Sequence, residues 1–222
     1  LVLEDAAQAI GARREGGPGG EFTMAGAWGQ MGAFSFFPTK NLGGFGDGGM
    51  VTARDDGLAE RVRKLRVHGG RQMYHHEMVG TNSRLDALQA AVLRTKLPHL
   101  DGWTAARREN ACRYESILKD VPEVAVPPVL PSNFHVYNQY TLRVPLRDEL
   151  RAHLDDKGIG SGVYYPVPLH LQACFSSLGG APGDLPVAET LCQEVVSLPI
   201  YPEVGLGAVE IVAEEIRAFY SG

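Results

Sequence analysis

The run Phe36-Phe37-Pro38-Thr39-Lys40-Asn41-Leu42-Gly43 drives an apolar segment into a proline, then delivers a lysine to a glycine-rich loop. Proline lacks the amide donor a sheet ladder needs, so a strand over Ala33 to Phe36 must end here. The next apolar, β-branched stretch, Met50 to Ala53, reads as the strand that follows the loop. Lysine in such a place becomes a nucleophile toward carbonyls when its ammonium is partly desolvated or crowded by another positive charge. Ala33-Phe34-Ser35-Phe36-Phe37 would supply the apolar wall; a solvated surface lysine after a buried strand is the alternative.

Strand and helix signals alternate around this loop. Leu1-Val2-Leu3 reads as a buried strand that carries Glu4-Asp5 to its carboxyl end, so the sequence is expected to open inside a domain. Asp55 to Val67 has helical spacing at Leu58, Val62 and Leu65, and Ser83 to Leu97 places Leu85, Leu88 and Val92 on one stripe before Pro98. Leu100 to Leu118 continues as a long charged helix able to bridge two domains, and the prolines between Pro122 and Pro131 mark an extended connection. The boundary is expected near Lys119, with a mixed α/β domain over 1–118 and a small α+β domain over 119–222. In the latter, Tyr140 to Val144 and Ser161 to Tyr164 read as strands. Leu146 to Lys157 reads as a helix closed by Gly158, and Pro186 to Val196 and Ala208 to Phe219 as further helices.

Composition narrows the function. The 222 residues are 44% hydrophobic and 21% charged with a formal net charge of −5, which disfavours disorder and a general polyanion-binding surface, so nucleic acid is not an expected partner. No apolar run reaches the roughly 18 residues of a membrane span, and a cytoplasmic protein is expected. Cys112, Cys174 and Cys192 are odd in number, widely spaced and without a C-x-x-C pair, which argues against a disulfide framework and a zinc site. His75-His76-Glu77 lacks a third ligand at a useful spacing, so no metal is expected.

Gly44-Phe45-Gly46-Asp47-Gly48-Gly49 matches G-x-G-x-x-G in form but leads into a strand, not a helix, and lacks the acidic residue about 20 positions on. A dinucleotide site is therefore not expected. Asp5 at a strand end, Gln8 one turn later, Ser35 near the end of a second strand and Lys40 beyond it suit a different cofactor, pyridoxal 5'-phosphate. Its pyridine nitrogen needs a carboxylate to stay protonated, its aldehyde needs an amine, and its phosphate needs hydroxyl and amide donors. Taken singly, Asp5 reads first as a helix N-cap at a strand exit.

Glu4-Asp5-Ala6-Ala7-Gln8-Ala9, Phe34 to Gly43, Gly46-Asp47-Gly48-Gly49-Met50, Asn82-Ser83-Arg84-Leu85-Asp86, Tyr165-Pro166-Val167-Pro168-Leu169-His170 and Leu198-Pro199-Ile200-Tyr201-Pro202 resemble, in order, the motifs of the DegT/DnrJ/StrS sugar aminotransferases. The resemblance implies a fold-type I aminotransferase, with part of its large parallel or mixed-sheet domain followed by the small C-terminal domain. It implies that Lys40 forms the Schiff base, Asp5 pairs with the ring nitrogen, Gln8 bonds the ring-hydroxyl side, Ser35 holds the phosphate and Asn82 reaches the cofactor of a neighbouring subunit in a homodimer with shared sites. An amino-acid donor, usually glutamate, and a nucleotide-linked keto sugar are the implied substrates. Arg84, Tyr165 and His170 are candidate substrate contacts, with surface pairing or packing as the alternative for each. The front of the family pattern, with its phosphate segment and ring-stacking aromatic, has no counterpart here, so a sheet with exposed strand edges is expected. A noncatalytic interaction or regulatory homologue and a sugar dehydratase are the competing readings; dehydratases of this family carry histidine in place of the lysine.

Overall fold

The computed structural model describes residues 1–18 and 20–222. They form two compact units: Leu1–Ala105 with Val129–Asn138, and Ala106–Pro128 with Gln139–Gly222. The division falls inside the long helix, before the expected boundary at Lys119; Pro122, Pro127 and Pro128 stay with the second unit, and only the segment from Val129, with Pro131, belongs to the first.

The first unit is built on β1 (Leu3–Asp5), β2 (Arg13–Glu15), β3 (Phe22–Met24), β4 (Met31–Ser35) and β5 (Gly49–Ala53). These are followed by α1 (Asp56–Leu65), α2 (Ala87–Lys96), α3 (Leu100–Leu118), which runs on into the second unit's residues, and β6 (Asn133–Phe134). One sheet has the order β1-β4-β5, with β1 parallel and β5 antiparallel to the central strand. In register, Leu3, Glu4 and Asp5 face Met31, Gly32 and Ala33. A second small sheet has the order β3-β2-β6, which explains why 129–138 belongs here: Arg13 and Arg14 pair with Phe134 and Asn133. α1 starts at an Asp55 cap whose carboxylate accepts the Leu58 N–H at 2.9 Å. Phe36, Leu42, Leu93 and Leu100 form a buried cluster, with Ile10 and Leu85 packed against it. Leu1-Val2-Leu3, expected as a buried strand, is exposed instead, and β1 begins only at Leu3, because among the described residues no neighbour covers this outer strand; Met50 and Val51 on β5 are exposed too, as expected for a sheet of so few strands.

The second unit holds β7 (Tyr140–Arg143), α4 (Arg147–Asp156), α5 (Pro186–Glu194), β8 (Val195–Leu198) and α6 (Leu206–Ser221). β7 and β8 pair antiparallel, Tyr140 opposite Leu198. Leu142, Leu150, Leu154, Val196, Val209, Ala213 and Ile216 are wholly buried, so the sheet and the amphipathic α4 and α6 share one core. Tyr114 stacks on Tyr140 at 5.0 Å and donates its hydroxyl to Pro199 O; burial pushes its phenol well above the ordinary value. Gly158 closes α4 with φ of 73°, a left-handed position where glycine carries no Cβ penalty.

Two expectations are corrected. Ser161 to Tyr164 is not a strand, because Gly162 makes a single two-bond bridge with Ser197 and the chain then turns away. The helix expected over Pro186 to Val196 ends at Glu194: Val195 and Val196 are drawn into the ladder with β7, where β-branched side chains are favoured. Among the described residues no helix is long and apolar enough to cross a membrane, and no group of three or more His, Cys, Asp or Glu side chains could hold a metal.

Because Ile216 is wholly buried, Ile216→Ala leaves a cavity as well as losing its transfer energy. A cost of about 3 kcal/mol is expected, read as a lowered urea midpoint with an unchanged slope.

Candidate active site

Asp5 and Ser35 end adjacent parallel strands, β1 and β4, so the ladder sets their separation and both stand at its carboxyl edge. That edge is where open α/β sheets present ligand-binding groups. One Asp5 oxygen accepts the Ala7 N–H at 3.1 Å, and the Ala6 N–H donates to Ala33 O at 2.9 Å, holding the strand exit against β4. Gln8 lies half-buried in the turn that follows. Ser35 Oγ accepts the Phe37 N–H at 3.2 Å, while its O–H remains available to a ligand.

Lys40 sits in the turn after β4, where its own N–H bonds Phe37 O at 2.9 Å. Phe36 and Leu42 are sunk in the buried cluster on either side of it. The Phe36 N–H reaches Gly48 O and the Gly44 N–H reaches Phe36 O, both at 2.8 Å, so the loop is tied at both ends. Within the described residues the half-buried Lys40 ammonium has no ion-pair or hydrogen-bond partner. A carboxylate with one engaged oxygen, a hydroxyl and an uncommitted amine around one strand edge form the donor set that pyridoxal phosphate requires, so the residues present fit that group.

Two further residues, not singled out in the sequence, hold this edge. Asn41 is 7% exposed; its Nδ2 donates to Val136 O at 3.0 Å, and its Oδ1 is buried without a partner. Glu4 accepts three backbone N–H groups, from Gly26 at 2.8 Å, Trp28 at 2.6 Å and Gly29 at 2.7 Å. Asn41 lies next to the lysine, and Glu4 lies beside Asp5 with its side chain on the opposite face, but no local pattern reveals a partner far along the chain.

Asn82 and Arg84 are exposed in the segment between α1 and α2, where Asn82 bridges Val67. A cleft of about 1050 Å³ is lined by His68, Arg71, Tyr74, His76, Glu77 and Arg84, among others; another of about 660 Å³ lies among β4, β5 and α1. Neither is lined by Asp5, Ser35 or Lys40. Tyr165 and His170 belong to the second unit. Tyr165 is exposed beside Tyr164. His170 is largely buried, with Nε2 2.9 Å from Glu189 and Nδ1 enclosed without a partner. Glu189 also receives the Gly183 and Leu185 N–H groups. The Gly183 N–H, opposed by partial desolvation and aided by His170 and Leu185, holds its carboxyl below the ordinary value of 4.5. His170 is thus engaged in tying its own loop to the first turn of α5.

Residues 1–217 match the DegT/DnrJ/EryC1/StrS aminotransferase family. The chain belongs to that family. It is 49% identical over 222 residues to the "Pleiotropic regulatory protein" of Geobacillus stearothermophilus, covering 99% of this chain and 58% of that protein. It is 48% identical over 203 residues to the dTDP-3-amino-3,4,6-trideoxy-alpha-D-glucose transaminase of Streptomyces venezuelae, covering 91% and 52%. The crystal structure of S. venezuelae DesV in complex with a ketimine intermediate superposes with a TM-score of 0.93 at 45% identity, covering 99% of this chain and 58% of that one. The fold is therefore that of the family's sugar aminotransferases, and the chain spans little more than half the length of the relatives it matches.

Two outcomes are expected from this geometry. Asn41→Ala removes the bond to Val136 O and leaves that carbonyl unpaired, at a cost of about 2 kcal/mol in denaturant unfolding. Because the Glu189 carboxyl is lowered on folding, its hold on the 183–185 loop is present above the ordinary glutamate range and lost as pH falls through the lowered folded value. After correction for intrinsic rates, the Gly183 amide should lose protection on acidification below 4.5. Glu189→Gln should expose it at every pH; equal protection in that variant would refute the assignment.

Proposed function

We propose that this chain carries the lysine half of a cytoplasmic, pyridoxal-phosphate-dependent aminotransferase that moves an amino group from an amino acid, glutamate by family resemblance, to a nucleotide-linked keto sugar. The observation that carries the reading is the placement of Asp5 and Ser35 at the carboxyl ends of adjacent parallel strands, with the uncommitted Lys40 on the pinned turn that follows. Family membership and the transaminase activity named for the S. venezuelae relative support it. When bound, pyridoxal phosphate supplies an electron sink for a carbanion at the substrate carbon. Asp5, as a carboxylate, would hold a proton at the ring nitrogen and so favour electron withdrawal. The Ser35 O–H would donate to the phosphate, and the Gln8 amide would bond the ring-hydroxyl side. Lys40 Nζ would bond the cofactor covalently at rest; once freed by the donor's amine it would take a proton from the donor's α-carbon, and in the return half it would deliver one to the sugar carbon.

In the same reading the assembly is a homodimer, with Asn82 reaching the site of the neighbouring subunit. Its exposed segment, with Met73, Tyr74 and Val79 open to solvent, supports an interface role. Arg84 and Tyr165 remain candidates for sugar or nucleotide contact. For His170, the bond to Glu189 favours loop positioning over direct contact. A noncatalytic, regulatory role is the second reading, favoured by the name of the G. stearothermophilus relative.

The test is the visible absorption of the chain with added pyridoxal phosphate, followed by borohydride reduction and peptide mapping. Label on Lys40 in the wild type, with loss of the band in Lys40→Ala and unchanged far-UV dichroism, is expected. A band that survives in Lys40→Ala would remove the lysine from its role, and no band in folded wild-type chain would favour the regulatory reading.

A further inference from the structure

Glu4, Gly32 and Thr52 lie in one row across the sheet, Glu4 opposite Gly32 on the parallel side and Thr52 opposite Gly32 on the antiparallel side. The Gly26 backbone lies over that row. Its N–H donates to Glu4 Oε2 at 2.8 Å and its carbonyl accepts the Thr52 hydroxyl at 2.6 Å, so the backbone of one residue joins the two outer strands above the central one. Glycine is required twice. Gly26 has φ of 81°, and a Cβ on Gly32 would run into the Gly26 Cα. The second Glu4 oxygen, Oε1, receives the Trp28 and Gly29 N–H groups.

We infer that Glu4 and Thr52 are positioning residues that act through the Gly26 backbone to set where Asp5 stands beside β4. β1 is an outer strand with three ladder positions, so its lateral placement needs support beyond its own ladder. Side chains alternate along a strand, so anchoring Glu4 on one face fixes the direction of Asp5 on the other. The carboxylate form is needed: three N–H groups converge on two oxygens, and an amide in that place would turn a donor toward a donor. The catalytic side of this inference rests on the strand edge being the cofactor seat proposed above; the placement of Asp5 does not.

The test uses Glu4→Gln, Thr52→Val and Thr52→Ser, with amide exchange first measured without cofactor. The reporter is the Ala6 amide, bonded to Ala33 O next to Asp5; controls are the Ala59 amide at the start of α1 and the Val209 amide of α6. Glu4→Gln and Thr52→Val are each expected to speed Ala6 exchange at least tenfold relative to both controls, and Thr52→Ser to restore it. Faster exchange confined to Gly26, Trp28 and Gly29, with Ala6 unchanged, would overturn the inference. With pyridoxal phosphate added, the pH midpoint of the visible band should move in both variants toward that of Asp5→Asn, which loss of bulk stability alone would not produce. A midpoint that stays at the wild-type value while Asp5→Asn shifts it would also overturn the inference. Accelerated Ala6 exchange together with no cofactor band in any chain would support the brace and refute the cofactor seat.

Discussion

Three parallel rungs between Leu3–Asp5 and Met31–Ala33 govern the geometry of the first unit. Parallel strands cannot be joined by a tight hairpin, and the connection between these two makes the small sheet of β2 and β3 on the way. Both strands therefore point the same way and end at the same edge. A carboxylate from one and a hydroxyl from the other stand at that edge, and Lys40 lies on the turn beyond, although Asp5 and Lys40 are far apart in the chain. β5, returning antiparallel, closes the loop on the other side, so the glycine-rich segment is confined between two strand ends. The glycines of that segment belong to close packing of backbone: Gln89 Oε1 accepts the Phe45 N–H at 2.7 Å, and a Cβ on Gly43 would run into Pro38 O. This is a different use of the same residue pattern from a phosphate-cradling helix start.

Elements with a strong internal period were legible from the residues alone. β4, β5, α1, α3, α4 and α6 fall close to where apolar spacing, Pro98 and Gly158 put them. β2 and β6 were not legible because Arg13-Arg14-Glu15 and Asn133-Phe134 show no alternation; β2 owes its strand state to pairing with β3 and β6, and β6 to β2 across more than half the chain. β8 was hidden because Val195 and Val196 also continue the helical spacing of α5, and only the presence of β7 decides between the two. Among candidate site residues, Asp5, Ser35 and Lys40 can be proposed from chemical type, and the structure puts Asp5 and Ser35 at strand ends and Lys40 in the turn after β4. Glu4 and Asn41 cannot, since their partners are Gly26, Trp28, Gly29 and Val136, the last 95 residues away.

The lysine turn shows how rigid backbone and an uncommitted side chain coexist. Lys64 is paired with Glu77, and Lys96 donates to Gly43 O at 2.7 Å while lying 5.1 Å from the Phe45 ring. Both ammonium groups are spent on structure, and Lys96 is spent on holding the far end of the very loop that carries Lys40. Phe36 and Leu42 anchor the near side by burial, and Asn41 ties it to the returning segment through Val136. Phe36, Asn41 and Leu42 thus each have a structural partner, while among the described residues the Lys40 amine has none. Fixing the backbone in advance means that a ligand bonding that amine orders one flexible side chain, not a whole loop, so less of its binding energy is lost to ordering. A solvated surface lysine would need none of these anchors, and their concentration around one uncommitted amine supports the reading proposed for Lys40.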